Sequence, residues 1–311
     1  MATERKESPA PGGRFDRLIP FVGEESASEY LAIPLSYLAL FLALPMGMMV
    51  VYSFLPVRNY DVVFEPTLAN YRSLLTDGVF VDVFVNTLSI ATTVTVIALL
   101  IGYPLAYVIA YKARNSEVWL LLVLGPFFTV YLIRAFSWIT VLSRQGAINI
   151  LLLRTGLIEE PISWLLFSRF AVVVGLVHAF LPYLVLTIYA TLQGLDRSEV
   201  EAARDLGASP LRAFRDVTLP QSLPGVITGA LFVFIPSFGA YVTPLLLGGG
   251  RVQMVAPLLE QFMSLTLNIS KAAAGGMLML AVVVAATAII FRIVELEEIF
   301  SGSASAGGDA E

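Results

Sequence analysis

Six apolar runs, each long enough to cross a bilayer as a helix, constrain this chain more than any other feature. A hydrocarbon core roughly 30 Å thick takes about 20 helical residues to cross. Runs of that order fall at Tyr30–Leu55, Phe84–Tyr111, Val118–Leu142, Phe170–Leu192, Leu223–Leu247 and Ala272–Ile293. Before the final turn of the last run, the only formal charge in any of them is Arg134. With 57% hydrophobic residues, 14% charged residues and a mean hydropathy of +0.81, the composition lies far from that of a soluble globular domain. The expected fold class is all-α, a polytopic membrane protein of six transmembrane helices.

Positively charged loops stay on the cytoplasmic side of a membrane, and six spans put both termini on one side. Of the 19 lysines and arginines, eleven, including Arg197, Arg204, Arg212 and Arg215, share the side of the termini. Seven lie opposite, in longer loops that obey the rule less strictly. Both termini are therefore expected in the cytoplasm, in a cell membrane. Residues 1–29 read as a flexible tail with no signal-peptide core, 30–293 as the membrane domain and 294–311 as a C-terminal tail, with Ser301–Glu311 expected to be disordered.

Between the fourth and fifth runs lies a compact polar loop, 193–222, with the grammar of a helix–turn–helix. Ser198 is positioned to cap a short helix with Glu199 and Glu201 in its first turn, and Gly207 to end it in the left-handed conformation. Ser209 then serves as a second cap, with Pro210 at the first helical position. Leu211 and Phe214 follow, three apart on one face, so an apolar knob projects on each side of a sharp turn.

The run Glu201-Ala202-Ala203, three residues, Gly207, nine residues, Val217, one residue, Leu219-Pro220 resembles the signature loop of the permease subunits of binding-protein-dependent ABC importers. Val217 stands where that family usually has isoleucine. Asn70-Tyr71, Asn86-Thr87-Leu88, Gly102-Tyr103-Pro104 and Leu132-Ile133-Arg134 extend the resemblance, which is nearest to the spermidine/putrescine permeases, from about Leu31 to Ile293. It implies the type I importer permease (MetI-like) fold and four kinds of partner. These are a dimer of ATPase subunits, a second permease, an extracytoplasmic solute-binding protein and the lipid bilayer. The resemblance further implies that Leu206, Leu211 and Phe214 fill a cleft on the ATPase, and that Glu201 pairs with a basic group there or braces the turn.

Several chemistries are excluded. No G-x-x-x-x-G-K-[ST] phosphate loop occurs, so no cofactor is expected in this chain, and ATP and magnesium belong to the partner ATPase. There is no cysteine, and a single histidine, His178, with no carboxylate inside a span. Neither a catalytic cluster nor a metal site is expected, nor is a nucleic-acid partner. His178 reads first as an interhelical hydrogen-bonding group. Arg134 admits two readings, a snorkelling arginine or a residue that lines the path or pairs with a neighbour.

Pro236, Gly239 and Pro244 interrupt the fifth run, directly beyond the loop. The segment around Ser237, Phe238 and Tyr241 is therefore a candidate lining or gate of the path, with a packing kink as the alternative. A polyamine cargo calls for carboxylates and aromatic faces, and the nearest carboxylates are Asp82 and Glu260, near the outer face. An anionic cargo would suit Arg134 better.

Overall fold

The computed structural model describes residues 24–305, with side chains described for 34–292. The described residues divide into two units, one ending at Val51 and one beginning at Tyr52. The first holds nearly all of α1 (Glu24–Ser53). This helix is apolar around its whole circumference from Leu35 to Val51, as a lipid-facing helix is. It is already helical at Glu24, ahead of the expected boundary at residue 30. Residues 1–23 of the expected tail lie outside the described residues.

The second unit opens with a two-residue hairpin, β1 (Val57–Arg58) and β2 (Asp61–Val62), turned by Asn59 and Tyr60 at positive φ. Next come α2 (Ala69–Thr76) and α3 (Gly78–Tyr111), the latter capped by Asp77, whose carboxylate accepts the Val79 N–H at 3.0 Å. The Asn70 amide donates to the carbonyls of Ser53 and Leu55 at 3.0 and 2.9 Å, closing this entrance from within.

The third expected span is not one helix. The chain forms α4 (Ser116–Leu124), a 3-10 turn over Gly125–Phe128 and then α5 (Tyr131–Leu142), because Pro126 has no N–H for the ladder. The crossing-length apolar stretch is instead Tyr131–Arg154, made from α5 and α6 (Ala147–Arg154). α6 is tied to the chain around it through one side chain. Its Asn149 is fully buried, donating to the Ser143 and Ile162 carbonyls and accepting the Ile162 N–H.

The other crossing-length segments are Pro34–Ser53, Gly78–Tyr111, Arg169–Gly194, Pro210–Phe238 and Ile269–Arg292, six in all among the described residues. α7 (Arg169–Gly194), capped by the Ser168 hydroxyl, runs through the centre. α8 (Arg197–Asp205) and α9 (Pro210–Ala213) form the polar loop, and a π turn over Phe214–Thr218 leads into α10 (Leu219–Phe238). α11 (Val242–Gly248), α12 (Val255–Ser264) and α13 (Ile269–Ser305) complete the chain. The helix-forming run Glu295–Ile299 carries α13 beyond the expected end at 293, through Ser301–Ser305, while 306–311 lie outside the described residues.

The core gathers on α7, where Val172, Leu176, Leu184, Val185 and Ile188 are wholly buried against Ile90, Val94 and Ala98 of α3, Val233 of α10 and Leu247 of α11. Lipid is as apolar as leucine, so close packing rather than water exclusion holds such helices together. Small residues make that possible. A Cβ on Gly175 would stand 2.5 Å from Leu247 Cδ1, and one on Gly225 would overlap the Thr191 side chain. A smaller cluster of Leu74, Phe80, Val83, Val255, Leu258 and Ala274 joins α2, α3, α12 and α13.

Candidate functional site

The polar loop is built from its two feet upward. At the first, the Tyr111 hydroxyl donates to the Leu192 carbonyl at 3.1 Å, and the Gln193 amide donates to the Ala110 carbonyl at 3.2 Å. The Arg197 guanidinium also reaches Ala110 and lies 5.3 Å over the Tyr111 ring. At the second foot, the Tyr103 hydroxyl shares a 2.8 Å hydrogen bond with Ser222 Oγ. Both feet thus stand on the C-terminal half of α3, and Glu199 accepts a hydrogen bond from Gln221 between them.

Asp196, rather than Ser198, caps α8. Its carboxylate accepts the Ser198 N–H at 2.9 Å, and that backbone bond, aided by one from the Ser198 hydroxyl, holds its pKa below the ordinary carboxylate value. The chain reaches its non-helical geometry one residue before Arg197, so the cap falls to the acid there. The helix ends as the sequence predicts, with Gly207 at φ +91°. The Gly207 N–H bonds the Arg204 carbonyl at 2.9 Å and the Ala208 N–H bonds the Ala203 carbonyl at 3.0 Å, the crossed pair of a Schellman stop. Ser209 caps α9 through the Arg212 N–H, with Pro210 in the first turn.

The two apolar knobs have different fates from the pair expected. Leu206 and Leu211 stand 90% and 76% exposed at the tip. Phe214 does not accompany them, because its ring packs edge-on against Tyr103 and Tyr107 at 5.8 and 5.4 Å. A π turn follows Phe214 and leads into α10: the Leu219 N–H reaches back to the Phe214 carbonyl, and Pro220 beyond it has no N–H to give. Ala202 is exposed and Ala203 half-buried, while Leu219 is half-buried and Pro220 exposed. Glu201 is exposed and makes no ion pair or side-chain hydrogen bond among the described residues, so the acid that braces the turn is Glu199. The aromatic foot of Tyr103, Tyr107 and Tyr111 is a signal sequence reasoning passed over, although the i, i+4, i+8 spacing displays it.

Of the three features expected to interrupt the fifth run, only Gly239 does so. α10 continues through Pro236 to Phe238, and the Gly239 N–H closes it on the Ile235 and Ser237 carbonyls. Pro244 sits in the first turn of α11, where no partner for its missing N–H is needed. Ser237 and Phe238 are wholly buried, Phe238 edge-on to Phe84 at 5.8 Å and stacked with Phe234 at 5.8 Å. Tyr241 lies in the break and lines an open cleft of 600 Å³ with Gly239, Ala256, Leu259, Glu260 and Met263 among its walls.

Arg134 belongs to a different group of residues, at the junction of α5, α7 and α11. It lies 5.8 Å over the Tyr131 ring, and the Tyr131 hydroxyl is hydrogen-bonded to Thr243 at 2.5 Å. One helical turn further, the Trp138 N–H donates to His178 Nδ1 at 3.1 Å, so His178 is an interhelical hydrogen-bonding group. Nε and Nη1 of Arg134 are buried and find no acceptor among the described residues.

A family model described as "Binding-protein-dependent transport system inner membrane component" matches residues 35–296. The spermidine/putrescine transport system permease protein PotB of Escherichia coli (strain K12) is 36% identical over 234 residues, which cover 74% of this chain and 84% of that protein. PotB of Haemophilus influenzae is 35% identical over 232 residues, covering 74% and 80%. Among solved structures, a chain of a bacterial alginate ABC transporter in complex with an alginate pentasaccharide-bound periplasmic protein superposes with a TM-score of 0.69. It is 16% identical and covers 89% of this chain and 96% of its own, a likeness of fold.

Proposed function

The chain belongs to the family of binding-protein-dependent transport system inner membrane components, and we propose from that premise that it forms the translocation path for a polyamine. It is a multi-pass inner-membrane permease of the type I ABC importer fold and carries no catalytic role of its own. ATP and magnesium are bound and used on a separate ATPase dimer. A second permease completes the path, and an extracytoplasmic binding protein delivers spermidine or putrescine to the face opposite the termini, which lie in the cytoplasm.

One observation carries the reading: the Gly207 turn presents Leu206 and Leu211 to solvent on a loop whose two feet are hydrogen-bonded to α3. Two bare leucines at the tip of a polar loop favour a partner with an apolar cleft. A braced loop transmits the partner's movement to α10 instead of absorbing it. The polyamine assignment rests on the named relatives.

Leu211→Asp in the assembled complex tests the docking, with ATPase co-purification and ATP-driven spermidine uptake into proteoliposomes as readouts. The expected result is a chain that inserts normally and loses both. Retention of the ATPase and of uptake refutes the docking role. A second reading, import of an anion, is favoured by the unmet donors of Arg134. Uptake of a phosphonate in place of spermidine selects it.

A further inference from the structure

We propose that Glu260 on α12 is the carboxylate that receives a cationic substrate at the helix break, an inference that rests on the polyamine reading. Ala256, Leu259, Glu260 and Met263 are spaced i, i+3, i+4 and i+7, so they share one stripe of α12, and all four line the cleft that Tyr241 enters from the break. The adjoining face, with Val255 and Leu258, is buried in the smaller core cluster, against which Leu259 also packs. One carboxylate therefore interrupts a stripe that is otherwise alanine, leucine and methionine. Glu260 is exposed to the cleft and makes no ion pair among the described residues, the two pairs there being Arg58 with Glu65 and Lys271 with Asp77.

The chemistry matches an alkyl chain bearing ammonium groups. A carboxylate takes one ammonium, the Tyr241 ring offers a face to a cation, and Leu259, Met263 and Met279 line the space that methylenes fill. The cleft's 600 Å³ lies within the usual span for small-molecule sites. Helix dipoles do not decide the sign of the site. The negative end of α10 and the positive end of α11 meet at the same break and oppose each other, which leaves Glu260 to set it.

The wall is also held in place. Thr87 of α3 accepts the Val255 N–H at 2.9 Å, the Asn86 amide donates to the Gln253 carbonyl at 2.8 Å, and Leu259 lies against Gly275 of α13. α12 is thus a fixed wall, and Tyr241, on the segment that continues from the polar loop through α10, is the side of the cleft that moves when the loop is pushed.

The test uses the complete transporter in proteoliposomes, with saturating spermidine-loaded binding protein and ATP. In Glu260→Gln, spermidine uptake falls about tenfold, the loss of one charge-assisted contact, while ATP hydrolysis stimulated by the loaded binding protein stays near wild type. Glu260→Asp regains most of the uptake. Met263→Lys, at an exposed position one turn along, neutralises Glu260 in place and causes a similar loss, which keeps the test decisive if the glutamine variant assembles poorly. Wild-type uptake in Met263→Lys or in assembled Glu260→Gln overturns the assignment and leaves the importer reading standing. A wild-type complex that moves no polycation overturns both.

Discussion

Replacing Gly207 by valine isolates the turn from every other feature of the loop. Nothing lies within 4 Å of a Cβ built at this position, so the substitution creates no clash, and its whole effect is backbone strain. At φ +91° an L-residue pays roughly 1–2 kcal/mol, and a β-branched one more. That strain acts on two hydrogen bonds, from the Gly207 and Ala208 N–H groups, which alone turn the chain from α8 to α9. If the ATPase recognises only the turned form, 2 kcal/mol lowers apparent affinity by up to about 30-fold.

Asparagine tolerates the left-handed region, so Gly207→Asn separates conformation from side-chain bulk. Titrating purified ATPase against the permease pair in nanodiscs gives the affinities, and uptake per ATP hydrolysed gives the coupling. The expected order of affinity is glycine, then asparagine close behind, then valine well below. Valine docking as tightly as glycine refutes the argument, as does asparagine failing as badly as valine.

Glu201→Lys lies outside every span and breaks no bond in the loop. It is expected to insert normally and to lose at least half of uptake by placing like charge against the ATPase, and full uptake in a transport assay counts against pairing there. The Asp196 cap has a depressed pKa, so its stabilisation is present above the ordinary value of about 3.9 and is lost as pH falls through the folded value. Amide protection in 197–201, measured relative to the intrinsic exchange rate at each pH, should therefore fall on acidification below about pH 4, and Asp196→Asn should flatten that dependence. Gly225→Val drives a side chain into Thr191 at the α7–α10 contact. Overpacking of this kind costs about 1–3 kcal/mol, to be read as a lower thermal midpoint of the purified protein, with an unchanged midpoint as the contrary result.

The sequence displays some levels of this structure and hides others. Long apolar runs report burial in lipid without reference to the rest of the chain, so the number of crossing segments and the Gly207 stop were visible in it, while the third segment lies later in the chain than its run suggested. Breaks depend on what surrounds them. Pro236 sits inside a continuous helix and Pro126 ends one, because a missing N–H matters only where the turn before it cannot be satisfied otherwise. The direction of Phe214 was hidden for a related reason. Spacing on an α-helical template puts it on the face of Leu211, but not which neighbours that face meets, and the partners Tyr103 and Tyr107 come from α3, far away in sequence. The candidate path residues lie apart from one another. Arg134, Ser237, Phe238 and Tyr241 sit in three different environments, whereas Glu260, far from them in sequence, shares a cleft with Tyr241.

That separation bears on how a push at the loop becomes an opening. α7 is held by α3 and α10 through contacts that leave no room for a Cβ at Gly225, so these helices move as one body or not at all. The two broken elements carry the remaining freedom, α4 with α5 about Pro126 and α10 with α11 about Gly239. They are joined to each other by the Tyr131–Thr243 hydrogen bond. Under the proposed docking, a displacement delivered at Leu211 would travel up α10 as through a rod and be released at the break, where Tyr241 shares a cleft with Glu260. The same displacement reaches α5 through Thr243 and so moves Arg134. Arg134 is half-buried, and its Nε and Nη1 are buried without an acceptor among the described residues. A rotation of α5 that turns those donors toward an acceptor is therefore favoured by the hydrogen bonds it makes, whereas the packed α3–α7–α10 contacts gain nothing by moving.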